Sequence, residues 1–258
     1  MKRKRECSIV LRRFGLCGVD DSVGDPRILR LLSERYPSIE WGVLFRPDKE
    51  GEPRYATAKW VERLTTVAKG GKGKMKMHLA GHLCGERCRD VLDGKVDFVR
   101  SLAKLGFERV QVNATNANGV DSSRLTEKVQ SFESAIRAVP EVEWIVQMNN
   151  ETKKLWEPLL KKKSPPTNMS LLYDASCGMG VLAKSFDPPH DSVPCGYAGG
   201  IGPDNVVNVL NRLSKVTKSV KVWIDMESSL REKRDGVDSF SITKSHACVS
   251  RAYDLGIF

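Results

Sequence analysis

The chain has 258 residues, of which 40% are hydrophobic, and its formal net charge is +10. This hydrophobic content excludes global disorder, because it suffices for a packed core. No apolar run reaches the roughly 18 residues that a membrane span requires, and no apolar signal-peptide core follows the basic residues 1–5. We therefore expect a cytoplasmic protein without a membrane segment, whose seven cysteines are reduced thiols rather than disulfides.

The basic residues are concentrated in three groups, at 2–13, 69–76 and 153–163. A net positive charge favours anionic partners. Solvated loops are one interpretation of these groups and a nucleic-acid-binding surface is another, but the chain has no RNA-recognition motif, zinc-finger spacing or interleaved aromatic stripe. A small anionic, phosphorylated substrate accounts for the same charge, and we expect this kind of partner rather than nucleic acid or membrane. The sequence carries no signal for the oligomeric state.

Short apolar strands alternate with helices along the chain. Strands are predicted at 8–17, 39–45, 75–79, 109–113, 143–148, 170–174, 196–198 and 220–225. Helical spacing predicts helices at 26–36, 57–68, 97–105, 125–139, 152–161, 203–213 and 245–255. This alternation is typical of a parallel β/α architecture.

Eight such units in this length favour a single closed (β/α)₈ barrel, a TIM barrel, over an open doubly wound sheet. We expect one α/β domain over 1–258, with a basic N-terminal tail at 1–7. No Gly-x-Gly-x-x-Gly motif follows the first strand, which disfavours a dinucleotide-binding fold.

A glycine turn after the seventh strand predicts an anion site. Gly199, Gly200 and Gly202 are followed by a helical pattern from Val206. Glycines allow backbone N–H groups to approach a ligand closely, and the helix adds the positive end of its dipole. In a (β/α)₈ barrel a phosphate site lies after strands 7 and 8. The alternative interpretation is a tight turn without a ligand.

Polar side chains also stand where the other predicted strands end. Catalytic groups of barrel enzymes lie at these strand ends and in the loops that follow. The candidates here are Cys17, Arg54, Asn113, Gln147, Asp174, Asp225 and Glu227.

Five motifs in this order resemble the phosphoribosylanthranilate isomerase family of tryptophan biosynthesis. Gly15-Leu-Cys-Gly-Val19 resembles the family's Lys-Ile-Cys-Gly-Ile, and Glu52-Pro-Arg-Tyr55 its Ser-Pro-Arg-Tyr/Phe. Val110-Gln-Val112 resembles Val-Gln-Leu. The remaining two matches are Leu171-Leu-Tyr-Asp174, with Gly178-Met-Gly180 and Ser185-Phe-Asp187, and Tyr197-Ala-Gly-Gly200, with Pro203, Asn205 and Val206.

The resemblance implies an Amadori rearrangement, an aldose-to-ketose isomerisation of an aminated phosphosugar, without a cofactor. It implies Asp174 as the acid that opens the sugar ring and Cys17 as the base that removes the C2 proton. Arg54 would bind the anthranilate carboxylate, for which a guanidinium is well shaped. The phosphate would be held by Gly178, Gly180, Gly199, Gly200, Ser228 and Ser229. Asp174 would have to keep its proton near neutrality through burial or a neighbouring carboxylate, and Cys17 would need a lowered pKa from nearby positive charge.

Three departures from the family pattern leave other functions open. Glu227-Ser-Ser-Leu-Arg231 replaces Ser-Ser-Gly-Val-Glu, so a carboxylate is expected near the phosphate unless Arg231 or Lys184 compensates. Asn113 replaces a histidine, and Gln147 to Asn150 replace a basic residue. One alternative is a catalytically inactive barrel that keeps an anion pocket for binding or regulation. Another is a scaffold that binds nucleic acid or protein through its basic loops.

The individual site residues also have ordinary interpretations. Cys17 could be a buried, inert thiol, Asp174 a helix cap or ion-pair partner, and Arg54 part of a surface ion pair. His78, His82, Cys84 and Cys88 are all metal-ligand types at close spacing. The chain lacks both Cys-x-x-Cys and His-Glu-x-x-His, however, and His78 lies inside the predicted third strand. We therefore expect no metal.

Overall fold

The structure is a computed structural model that describes residues 9–70, 75–218 and 220–257. The predicted basic tail at 1–7 and part of the glycine–lysine stretch around 69–76 lie outside the described residues. Among the residues described, none of the helices has the length and apolar character needed to cross a membrane.

Eight parallel strands close into a barrel, as predicted, because β1 pairs with both β2 and β8. The strands are β1 Val10–Cys17, β2 Ile39–Phe45, β3 His78–Leu83, β4 Arg109–Val112, β5 Glu143–Met148, β6 Met169–Tyr173, β7 Cys195–Tyr197 and β8 Lys221–Met226. A short antiparallel hairpin, β9 Arg231–Arg234 and β10 Val237–Phe240, follows β8.

The helices lie outside the barrel. They are α1 Arg27–Arg35, α2 Ala58–Lys69, α3 Gly85–Leu92, α4 Asp97–Leu105, α5 Leu125–Ala138, α6 Lys153–Leu160, α7 Val206–Thr217 and α8 Ile242–Asp254. Two helices follow β3, whereas residues 174–194 connect β6 to β7 without a helix in this described segment.

Two sequence predictions were wrong around the third strand. The strand was predicted at 75–79 but runs from His78 to Leu83, and α3 was not predicted. The structural β3 alternates residues such as Leu79 and Leu83, which pack outward, with His82, which lines the interior cavity. The shift therefore moves His82 from a loop into the barrel wall.

The alternation of side chains along each strand divides the protein into two layers. Outward-facing residues such as Trp41 and Trp144 are fully buried against the helices and belong to the main hydrophobic core. Inside the barrel, Ile145, Leu172 and Trp223 form a separate, smaller apolar cluster. On both sides of this cluster along the barrel axis the interior is mostly polar. The candidate site lies on the side where the strands end.

Charged side chains fill the end of the barrel at which the strands begin. Arg109 is 2% exposed, donates to Glu40 at 2.7 Å and lies 3.2 Å from Glu143. Its guanidinium stacks over Trp223 at 4.1 Å. Arg12 pairs with Glu143, and Arg13 lies within ion-pair distance of Glu40. These two members of the first basic group therefore neutralise buried carboxylates instead of forming an exposed patch.

We predict that Arg109→Met destabilises the protein by about 3–5 kcal/mol, because it removes the closest partner of the buried Glu40, whose remaining cation, Arg13, lies 3.9 Å away. Urea unfolding measures this loss. The matched control is Arg124→Met, which breaks an exposed pair with Glu127 and should change stability little. Equal free energies of unfolding for the two variants would show that the interior Arg109–Glu40 pair does not stabilise the fold.

Candidate functional site

A cavity of about 200 Å³ opens at the end of the barrel where the strands finish. Every residue that the resemblance placed in the site lines this cavity: Cys17, Arg54, Asp174, Gly178, Gly180, Gly199, Gly200, Ser228 and Ser229. Asn113 and Gln147 line it as well. The structure therefore brings the predicted residues together, and their roles depend on the contacts described below.

The glycine turn after β7 lines the cavity and contains backbone N–H groups without a protein acceptor. Gly199 and Gly200 have φ values of 98° and 60°, a conformation that residues with a Cβ rarely adopt. Asn205 holds the turn, since it accepts from the Gly202 N–H at 2.9 Å and donates to the Gly200 carbonyl at 2.8 Å. Within the described residues, the N–H groups of Gly199, Gly200 and Ile201 donate to no protein acceptor. They are available to an anion.

The helix-free β6–β7 connection folds over this turn. A Cβ on Gly200 would overlap the backbone N of Leu182 and lie 2.9 Å from the Gly180 carbonyl. Two tyrosines fix the connection to the barrel. The Tyr197 hydroxyl donates to the Asp187 carbonyl at 2.7 Å, and the Tyr173 hydroxyl donates to the Pro188 carbonyl at 3.1 Å. Long loops of this kind are often functional, and this one forms a wall of the cavity.

Asp174 is 4% exposed and accepts hydrogen bonds at both carboxyl oxygens. Oδ1 accepts from the Ser176 hydroxyl at 2.6 Å and from its backbone N–H at 3.1 Å. Oδ2 accepts from the Gly178 N–H at 2.9 Å and from the Gln147 amide at 3.4 Å. These hydrogen bonds fix the carboxyl group of Asp174 in one orientation at the cavity wall.

Arg54 reaches the cavity but is already engaged. Its backbone has a φ of 81°, and its N–H donates to Asp20 at 2.6 Å. Its guanidinium donates to Asp238 at 3.1 Å, to Glu227 at 3.3 Å and to Ser228 at 3.4 Å. A ligand carboxylate would therefore have to compete with two protein carboxylates for this side chain.

The carboxylate of Glu227 is compensated mainly by Arg54, which the sequence did not suggest for this role, and also by Arg231, which it did. Arg54 contacts it directly, and Arg231 lies close enough that both arginines lower its pKa, although burial raises that pKa overall. Arg231 is itself held, 2.9 Å from Asp20 and 3.2 Å from Asp238. Glu227 thus belongs to a linked group of alternating charges along one side of the cavity.

The electrostatic surroundings of Cys17 are the opposite of those expected for a base. Its side chain is 2% exposed. Burial raises its pKa well above the usual value, and the carboxylates of Asp225, Glu227 and Glu40 raise it further. The expected lowering by positive charge was wrong for a specific reason. Where the resembling motif has lysine this chain has Gly15, and a Cβ at Gly15 would overlap Asp225 Oδ1.

Asp225 and His82 line the inner part of the cavity and were not assigned to the predicted site. Burial, followed by the charge of Glu40, raises the pKa of Asp225 to about 7. Burial, followed by the charge of Arg109, lowers the pKa of His82 to about 3, so that the imidazole is neutral. Strand-end position identified Asp225 as a candidate in the sequence. The misplaced third strand hid the inward orientation of His82.

The four residues considered as metal ligands from the sequence are not gathered in one place. His78 hydrogen-bonds Glu108 at 2.8 Å, close to the end of the barrel where the strands begin. Cys84 precedes α3 and Cys88 is buried within it. Among the described residues, the ligand-type side chains that do converge are Cys17, His82 and Asp225.

No protein-family model matches the chain, and no curated protein matches it either. The barrel is shown by the structure, whereas kinship to the phosphoribosylanthranilate isomerases rests on the motifs alone.

The space left by Gly15 gives a direct test of this geometry. We predict that Gly15→Ala costs about 1–3 kcal/mol, because its methyl group must displace the Asp225 carboxylate. In an Asp225→Ala background the same change should cost much less, and a double-mutant cycle from urea unfolding measures the difference. Additive costs would show that the two side chains do not meet.

Proposed function

We propose that this barrel binds a phosphorylated sugar compound in the cavity at the carboxyl ends of its strands. The observation that carries the proposal is the glycine turn, because Gly199, Gly200 and Ile201 line the cavity and their N–H groups donate to no acceptor among the described residues. Backbone donors of this kind suit the oxygens of a phosphate group. The position of the turn after β7 is also where barrel proteins bind phosphate.

The rest of the lining supports a polyhydroxylated ligand. Ser228 and Ser229 add hydroxyl groups to the cavity lining, and Asn113, Asn118 and Gln147 add amide groups to it. Amides and hydroxyls both donate and accept hydrogen bonds, as sugar hydroxyls do. The cavity therefore offers an anion site and, next to it, partners for a sugar.

We predict that ribose 5-phosphate raises the melting temperature and that ribose does not. A ligand at 100 times its Kd stabilises a protein by about 2.7 kcal/mol, which corresponds to several degrees for a chain of this length. Ser229→Asp should abolish the shift, because it places a carboxylate beside the turn. The control Ser250→Asp changes a serine on α8, outside the cavity lining, and should keep the shift. No shift in the wild type at millimolar ligand would refute the proposal.

Aldose–ketose isomerisation is the second candidate function. It is favoured by one observation, that Asp174 and Cys17 line the same cavity as the glycine turn. The surroundings of Cys17 disfavour it, because carboxylates oppose formation of the thiolate. We therefore place binding first and isomerisation second.

If the second candidate holds, the protein converts phosphoribosylanthranilate, and the substrate fluorescence falls with time. The rate should rise with pH from neutral into the alkaline range, because a thiolate base with a raised pKa forms only there. Asp174→Asn and Cys17→Ser should stop turnover, and Cys17→Ser should keep the phosphate-dependent thermal shift. Constant fluorescence with the wild type, together with an intact thermal shift, would leave a binding protein.

A further inference from the structure

Three side chains of different strands meet at the inner end of the cavity. Cys17 ends β1, His82 lies in β3 and Asp225 lies in β8. One potential ligand atom from each lies within 4.8 Å of the other two. Their exposures are 2%, 2% and 6%. We call these three residues the Cys–His–Asp cluster.

The cluster contains buried polar atoms that nothing in the described protein satisfies. Both carboxyl oxygens of Asp225 and Nδ1 of His82 lack a hydrogen-bond partner among the described residues. The Trp223 indole lowers the pKa of Asp225 somewhat, but its N–H forms no hydrogen bond of acceptable geometry. Leaving such groups unpaired is costly, and a cation bound beside Asp225 would satisfy its oxygens.

Two glycines make room for the cluster. A Cβ on Gly42 would lie 2.8 Å from both Cys17 Sγ and His82 Nε2, so these two atoms approach the same point on β2. A Cβ on Gly15 would overlap Asp225 Oδ1. Side chains at either glycine would displace at least one member of the cluster.

The three atoms form a ligand set of recognisable chemistry. A thiolate, an imidazole nitrogen and a carboxylate oxygen are ligands of Zn²⁺, and three protein ligands with one open position are typical of catalytic zinc sites. Sulfur and nitrogen together favour zinc or a similar transition metal over Mg²⁺ or Ca²⁺. Ligand atoms around tetrahedral zinc are separated by about 3.5 Å, so the cluster would contract by about 1 Å.

The charges around the cluster are mixed. The carboxylates of Asp225, Glu227 and Glu40 act on Cys17 and favour a cation, whereas the Arg109 guanidinium, which acts on both His82 and Asp225, opposes one. His82 is neutral, the form that binds metal. We propose that Cys17, His82 and Asp225 bind one zinc ion or a chemically similar divalent transition metal, with the fourth position facing the cavity. On binding, the Cys17 thiol gives its proton to solvent and the sulfur–metal bond forms.

This inference does not depend on phosphate binding, and it changes what the cavity can do. A metal at the cluster would present a Lewis acid to a carbonyl or hydroxyl oxygen of a ligand held in the same cavity. Cys17 would then be a ligand and could not act as the base of the second candidate function.

The test uses the full chain after treatment with EDTA. We expect equilibrium dialysis to give one Zn²⁺ per chain, and Co²⁺ to produce the thiolate-to-cobalt charge-transfer absorption and the visible bands of a tetrahedral site. Cys17→Ser should remove the charge-transfer absorption. Asp225→Asn, which keeps the shape of the side chain, should weaken zinc binding by about 100-fold or more.

Matched controls come from the residues that the sequence alone suggested. Cys84→Ser and His78→Gln should keep both the stoichiometry and the cobalt spectrum, because neither residue belongs to the cluster. Circular dichroism and the melting temperature verify that each variant is folded. Absence of zinc binding by the wild type at micromolar metal, or an unchanged cobalt spectrum in Cys17→Ser, would overturn the proposal. If the wild type binds no zinc but ribose 5-phosphate still raises its melting temperature, the metal proposal alone has failed and the phosphate proposal stands.

Discussion

Charge inside the barrel has to be neutralised or ligated, and the rest of the structure depends on how each end does this. At the end where the strands begin, Arg109 lies between Glu40 and Glu143 and stacks on Trp223. This arrangement fills that end of the barrel with paired charges. Nearer the cavity Asp225 is also buried, but its oxygens have no partner among the described residues. We therefore assign a structural role to the first end and propose ligand binding at the second.

The cavity has two halves of opposite electrostatic character. The glycine turn at Gly199 and Gly200 offers backbone N–H groups, whereas the Cys–His–Asp cluster offers negative or neutral donor atoms. We propose a phosphorylated sugar for the first half and a cation for the second. Gly15 leaves the space that the Asp225 carboxylate occupies, because a Cβ there would overlap Asp225 Oδ1. This carboxylate is one of the groups that oppose formation of a Cys17 thiolate when no cation is bound.

Much of the fold could be predicted because apolar alternation and strand–helix order are local properties. Strands 39–45 and 143–148 and helix 97–105 were predicted with the bounds that the structure has. The third strand was misplaced because Gly81 and His82 interrupt its apolar pattern. Helix α3 and the β9–β10 hairpin were missed because their sequences are mostly polar or charged, so their conformation depends on the surface that they cover.

The candidate site was predictable in position but not in electrostatics. Strand ends converge in a closed barrel, so Cys17, Asp174 and the glycine turn had to lie near one another. Which charges surround Cys17 depends on side chains of β2, of β8 and of the loop after β8, and the engagement of Arg54 by Asp238 depends on the unpredicted hairpin. Such contacts join residues far apart in the sequence, and no local pattern encodes them.

The most direct test of the proposed phosphate site is a crystal structure of the protein with inorganic phosphate. We predict one phosphate in the cavity, bound by the N–H groups of Gly199, Gly200 and Ile201 beside Ser229. Phosphate bound only at the basic surface groups, or a glycine turn that remains empty while phosphate occupies another part of the cavity, would contradict it.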